Sequence, residues 1–378
     1  MISGTYRYLE QNRVVFGKPA RDVLIEEAEQ RGCSRLLVVT SRSPNRNTPI
    51  IEEAVAALGR KIVGVFEGCT EHTPRESVLA LAQAARETEA DLLVTIGGGS
   101  AIDTAKVALI CLAHGVSESD RFDDLRIRVA PDGSRLVPRL ERAPIRQIAV
   151  PTTLSGAEFS DLAGCTNTVR GEKDLYTAAA IEPAAVILDP RCTLYTPERL
   201  WLSTGIRAVD HAVESICSLD AQPLTDATCL EALFRLCRSL PQTKQDPADL
   251  DARLDSQLGV WLACTGVNRI RFGASHGIGH VLGGELGIPH GITSCILLPA
   301  VLRYNAAATQ AQQDQIAGRL GWPSLPDGIT ALVRGLGLPA RLSDFPVECA
   351  ALPGLATKAL GNPFVRANPR RIDRAEQV

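Results

Sequence analysis

The stretch Asp91–Lys106 reads DLLVTIGGGSAIDTAK. Asp91–Ile96 has the unbroken apolar, β-branched character of a strand buried on both faces. Three glycines follow, and then a segment with helical patterning over Ala101–Ala113. Strand, glycine turn and helix form the unit from which covered parallel sheets are built. Glycine lets a backbone approach a ligand closely. The N-terminus of the next helix adds unspent N–H groups and the positive end of a dipole. Gly97, Gly98, Gly99 and Ser100 therefore read as a cradle for a pyrophosphate, although the pattern is not GxGxxG and plain packing is the competing reading.

Working outward, short apolar runs alternate with helical patterns. Strands are expected at Arg35–Thr40, Lys61–Phe66, Asp91–Ile96, Gln147–Pro151 and Ala185–Asp189. Helices are expected at Pro49–Leu58, Ala101–Ala113 and Pro74–Thr88, the last with Thr73-Pro74 as cap and first-turn pair. After about Tyr195 strand signals nearly vanish. Helical segments follow at Pro197–Leu219, Leu224–Leu240, Ala248–Phe272, Ser275–Leu282, Thr293–Ala307 and Thr309–Leu320. The expected fold is an α/β N-terminal domain with a parallel sheet, residues 1–195, followed by an all-α domain, residues 196–378. The charged segment 115–144 reads as an exposed excursion, with a β-hairpin around Pro131–Ser134.

Composition narrows the function classes. Lys and Arg total 40 against 43 Asp and Glu, so no basic footing for nucleic acid exists. The longest apolar runs fall far short of the roughly 20 residues that span a bilayer. A cytoplasmic enzyme is the default expectation. Eleven cysteines are scattered without a CxxC pair and read as buried free thiols.

Other strand ends carry polar residues. Asp103 either holds the glycine turn or contacts ribose or nicotinamide, and Lys106 reads as a surface or loop-tying cation. PTTLSGAEFS places Thr152 and Thr153 after a strand, as donors to phosphate or amide. At the end of the first run stand Ser41 and Arg42, where an acid would select NAD. NADPH is thus as compatible as NADH.

Three of six histidines fall in ASHGIGHVLGGELGIPHGITS, residues 274–294. His276 and His280 share one helical face. Gly283, Gly284 and Pro289 are expected to break that helix, and His290 starts the next. His211, in GIRAVDHAVE, is a fourth candidate. Four clustered histidines point to a metal or a polar catalytic pocket.

GGGSAIDTAK, PTTLSGAEFS, GIRAVDHAVE and HGIGHVLGGELGIPHGITSCILLPAVLRYN together resemble the iron-containing alcohol dehydrogenase superfamily, and PTTLSGAEF, PHGITSC and NPFVRANPR resemble its maleylacetate reductase branch. The resemblance implies that Gly97–Ser100 bind pyrophosphate. It also implies that Asp103, Thr152, Thr153 and Leu154 contact the nicotinamide half, and that Lys173 sits near its ribose. It implies an active site in a cleft between two domains, and a homodimer. In metal-dependent members, ligands correspond to His211, His276 and His290, with an Asp four residues before the first. Here that position holds Arg207, which cannot ligate. Asp210 lies about 100° from the face of His211. No metal is therefore favoured; a bound Zn or Fe would sit at the His211/His276/His290 cluster. The resemblance implies reduction of maleylacetate, a small diacid met in aromatic degradation, to 3-oxoadipate. His280 is then the expected general acid, with Arg207, His211, His276 and His290 forming the anion pocket. A metal-dependent alcohol dehydrogenase or aldehyde reductase is the alternative.

Overall fold

A computed structural model describes residues 5–130 and 135–378. Two compact units divide the chain. One gathers Tyr8–Arg128 with Leu136–Thr196, and the other is built on Pro197–Val378. The first is not one unbroken block, because Val129–Arg135 groups with the second.

The α/β unit centres on six parallel strands: β1 (Arg13–Phe16), β2 (Leu36–Ser41), β3 (Ile62–Cys69), β4 (Leu92–Gly97), β7 (Arg146–Pro151) and β10 (Ala185–Leu188). Their spatial order is β1-β10-β7-β4-β2-β3. The central strands are wholly buried, which is why their sequences run apolar without alternation. Helices α1 (Ala20–Gln30), α2 (Arg42–Asn47), α3 (Ile50–Leu58), α4 (Arg75–Glu87) and α5 (Gly99–Ala113) connect them. One apolar cluster joins Val23, Leu24, Ile51 and Val94; a second joins Leu81, Val107, Leu93 and Tyr176.

Several expectations change here. Edge strand β1 and the antiparallel pair β8 (Leu162–Asn167) and β9 (Glu172–Thr177) add to the expected set. Thr73 does not cap α4; it takes φ 54° beside His72 at φ 63°, and its hydroxyl donates to Ser100 O at 3.3 Å. The segment 115–144 is not simply exposed. It forms the short helix α6 (Phe122–Leu125), and Phe122, Leu125 and Ile127 are buried. Arg75 Nη2 donates to Asp123 and Asp174 at 2.6 and 2.8 Å, and Arg126 Nη1 to Asp174 at 2.9 Å. Short strands β5 (Arg128–Val129) and β6 (Arg135–Leu136) pair; the turn expected at Pro131–Ser134 lies outside the described residues.

The second unit carries α7 (Glu198–Ile216), α8 (Pro223–Gln245), α9 (Leu250–Ala263), α10 (Ala274–Leu286), α11 (His290–Leu320) and α12 (Leu325–Gly335). Gly283 and Gly284 lie inside α10, which ends instead at Gly287 with φ 64°. The long helix expected over Ala248–Phe272 stops at Ala263, and a turn with Asn268 at φ 58° follows. The two segments expected over Thr293–Leu320 are borne out as two helices meeting at Thr309, whose backbone is non-helical (φ −131°), within the span α11. All eleven cysteines are free, and Cys349 alone is exposed. Among the described residues no helix is long and apolar enough to cross a membrane.

Candidate functional site

The glycine turn is packed against the turn after β7. A Cβ on Gly98 would lie 3.0 Å from Thr153 Cγ2, and one on Gly99 would lie 2.7 Å from Ser155 Oγ. The glycines are thus required by the protein's own packing as well as by any ligand. Yet the hydroxyls of Thr153 and Ser155 are buried there without a hydrogen-bond partner. Ala101 and Ile102 N–H already donate to Gly98 O, which leaves the N–H groups of Gly99 and Ser100 as the first-turn donors that helix geometry leaves over. Two unspent hydroxyls and a helix N-terminus suit an anionic phosphate.

Asp103 and Lys106 serve the fold. Asp103 Oδ2 accepts from Gly164 N at 3.1 Å. Lys106 is fully buried rather than on the surface, and donates to Ala157 O and, at 2.9 Å, to Leu162 O. Beside it Glu158 is buried with Oε2 unpaired. Burial pushes its carboxyl up to about 7, against the pull of Lys106. Lys173 is exposed on β9, its stem lying over Gly164. Thr152 donates its N–H to Gly97 O at 3.0 Å. The Leu154 side chain is wholly buried, so a contact to a ligand would run through its backbone. Ser41 closes β2 and precedes α2.

In the helical unit, α7 presents Arg207, Asp210, His211 and Glu214 at i, i+3, i+4 and i+7, one face of a helix. All four are buried. Arg207 Nη1 donates to Ser294 Oγ at 3.0 Å. Ser294 and Ser275 hydroxyls both donate to Asp210 Oδ2, at 2.6 and 2.8 Å. Glu214 accepts from the N–H groups of Gly273 and Ser275 at 3.0 and 2.9 Å. Its Oε2 stands 2.7 Å from His276 Nδ1.

The rings form two groups. His276 stacks on Phe272 (centroids 4.2 Å) and on His211 (4.9 Å). His280 meets His290 edge-on at 5.6 Å and Phe364 at 5.3 Å. The structure therefore brings together all four sequence-derived histidines and Arg207 in one unit. Burial, and then the Arg207 charge, hold His211 and His276 well below the ordinary imidazole value, so both stay neutral. Burial pulls Arg207 down, opposed by Asp210 and Glu214. Burial raises Asp210, and burial with the Asp210 charge pushes Glu214 up to about 8.

Residues 11–190 match the family model described as iron-containing alcohol dehydrogenase, and residues 201–378 match that of the Fe-containing alcohol dehydrogenase family, C-terminal. The chain belongs to the iron-containing alcohol dehydrogenase family. It is an oxidoreductase of that family. It is 37% identical to Dehydrogenase ALT3 of Alternaria alternata, over 89% of this chain and 95% of that one. It is 31% identical to the maleylacetate reductase of Burkholderia cepacia, over 96% and 92%. The crystal structure of maleylacetate reductase from Rhizobium sp. strain MTP-10005 superposes with a TM-score of 0.83 at 28% identity, covering 100% of this chain and 96% of that one.

The metal in the family's name finds a poor donor set in this member. Arg207 has no lone pair to give and keeps its charge. Among the described residues, the trio whose ligand atoms fall within 4.8 Å of one another is Asp210, Glu214 and His276, not His211, His276 and His290. In that trio the closest pair is already hydrogen-bonded, and Asp210 Oδ2 is taken by two serines, which leaves its Oδ1, buried and 3.7 Å from His276 Nδ1, as the one carboxyl oxygen without a hydrogen bond. Asp210, set aside on helical angle, thus proves central: its Oδ2 lies 3.7 Å from Arg207 Nη1.

Sequence reasoning missed Glu214, Ser275, Ser294, Phe272 and Phe364. The helical period could have found Glu214, seven residues after Arg207 on the same face. The others come from segments whose approach no local pattern encodes.

Proposed function

We propose that this enzyme reduces an unsaturated keto-diacid of the maleylacetate type with NADH or NADPH, without a metal ion. Arg207 carries the proposal. It is a buried guanidinium whose sole hydrogen bond among the described residues goes to Ser294 Oγ. A guanidinium has five N–H donors, and a carboxylate accepts two in parallel. A cation buried with most of its donors unspent suits an anionic substrate.

A bound nicotinamide would supply a hydride for the alkene carbon β to the ketone, a reaction that would put charge on the ketone oxygen. Preorganised donors at such an oxygen are worth about 3–4 kcal/mol. Arg207 either clamps a carboxylate or meets that oxygen. His280 gives the proton to the α carbon, and His211, His276 and His290 shape the pocket. Gly97–Ser100, Thr152 and Thr153 hold the cofactor, with Asp103 fixing the turn beneath it.

Relatives named maleylacetate reductase support the substrate class. The Asp210, Glu214 and His276 trio favours the second reading, a metal-dependent alcohol dehydrogenase. NADH and NADPH oxidation should be followed with maleylacetate and with a panel of aldehydes, each with chelator and with added Zn or Fe. Turnover of the diacid that chelator leaves intact is expected. Turnover of aldehydes alone, abolished by chelator, would reject the proposal.

A further inference from the structure

We infer that Glu214 is a positioning residue: it fixes the in-plane orientation of the His276 imidazole, so that Nε2 is the nitrogen left for the bound substrate. The inference rests on the reaction proposed above for this pocket.

Two constraints act on the ring. Stacking on Phe272 (interplanar angle 22°) and on His211 (27°) fixes its plane. Stacking alone does not choose between the two faces of a flip about the Cβ–Cγ bond, which exchanges Nδ1 with a carbon. Glu214 makes that choice. Its Oε2 lies 2.7 Å from Nδ1, where the flipped ring would offer C–H. Nε2 is then the ring's remaining polar atom, buried and without a protein partner.

The carboxyl group is itself held. It takes the N–H groups of Gly273 and Ser275 and, at 3.4 Å, that of His276. These open α10, the helix that bears His276, so the clamp and the ring it holds move together. A Cβ on Gly273 would come within 2.9 Å of Glu214 Oε1; glycine at 273 is what lets the carboxyl group seat. A carboxyl group that orients an imidazole through one nitrogen leaves the other for chemistry, as the buried acid of the catalytic triad does.

A double-mutant cycle tests this, using whichever carbonyl substrate the enzyme turns over. E214Q keeps the side-chain shape and an oxygen for the helix amides. In the wild-type background it should lower kcat about tenfold to a hundredfold, with KM moving far less. In the His276→Ala background it should cost nothing further, because the residue it acts through is gone. Melting temperature reports the helix-capping part, which should fall equally in both backgrounds. Independently of turnover, the far-downfield proton of the Oε2···Nδ1 hydrogen bond should appear in the NMR spectrum of the wild type and vanish in both single variants.

Equal losses of kcat in both backgrounds, an unchanged kcat in E214Q, or a downfield proton that survives E214Q would each overturn the inference. Failure of the diacid assay with another carbonyl substrate active would reject the proposed substrate and leave the cycle readable. With no active substrate, the proton signal decides alone.

Discussion

Arg207 keeps most of its hydrogen-bonding capacity in reserve, since Ser294 uses one donor. Losing a hydrogen bond to a charged group costs about 1.5–3 kcal/mol. Arg207→Ala should therefore lower kcat/KM for the diacid roughly tenfold to a hundredfold, with little change for an uncharged aldehyde. Arg207→Lys should restore little, because an ammonium cannot form the parallel pair. Arg207→Asp should also raise the metal content of the purified protein, read by elemental analysis, because it returns a carboxylate to the position one turn before His211. Unchanged diacid kinetics in these variants would remove Arg207 from its role. Arg207 and the histidines were legible because their residue types are rare or out of place on an apolar helix. Glu214 was not, since an acid on a helix is commonly solvated and nothing local says that this face is buried. Lys106 was legible in part: its loop-tying role is seen in its bonds to the carbonyl oxygens of the following segment, while its complete burial is not what a lysine leads one to expect.

At the scale of elements, the parallel strands were legible because strands buried on both faces carry a continuous apolar signal. The pair β8 and β9 was not, since LAGCTN and EKDLYT are polar and owe their pairing to each other. Glycine misled in α10. Gly283 reads as a breaker, yet a Cβ there would meet His290 Cε1 at 2.9 Å, so its smallness serves the packing of the two histidine helices. Gly291 is stricter still. A Cβ on it would fall 2.5 Å from Ser203 O, a backbone atom of α7 that cannot rotate away. Overpacking of this kind typically costs about 1–3 kcal/mol. Gly291→Ala should lower the melting temperature. It should also raise KM for the diacid, because α11 carries the Ser294 that holds Arg207. A variant that melts later than wild type would show that α7 and α11 are not held at this spacing. Gly99→Ala presses on a rotatable hydroxyl, Ser155 Oγ. It should weaken cofactor binding, as read by titration of NADH fluorescence, and lower the melting temperature by less than Gly291→Ala does, since Ser155 Cβ also stands 3.1 Å away.

At the scale of the whole molecule, each unit buries a carboxyl raised above its ordinary value, Glu158 in the α/β unit and Glu214 in the helical one. Their sign is the same. Below the unfolded value near 4.5 both states hold the proton, and the stability each group contributes is fully present. As pH rises, the unfolded chain releases its proton first, and the contribution is lost until the folded carboxyl ionises too, about 7 for Glu158 and about 8 for Glu214. Thermal stability should therefore decline toward pH 8 once pH passes about 6.5, where the buried histidines no longer oppose the two carboxyls. The Glu158 share is about 3 kcal/mol across its window, at 1.36 kcal/mol per pH unit. Glu158→Gln keeps the shape and removes the proton, so its melting temperature relative to wild type should climb steadily between pH 5 and pH 7 and then level off. His211 and His276 act in the opposite sense below about pH 6.5, where the unfolded chain takes up protons that the buried rings refuse. Those two rings are untouched by the substitution, so the difference between the two proteins isolates Glu158. A difference independent of pH would mean that this carboxyl is ionised in the folded chain, with Lys106 rather than burial setting its charge.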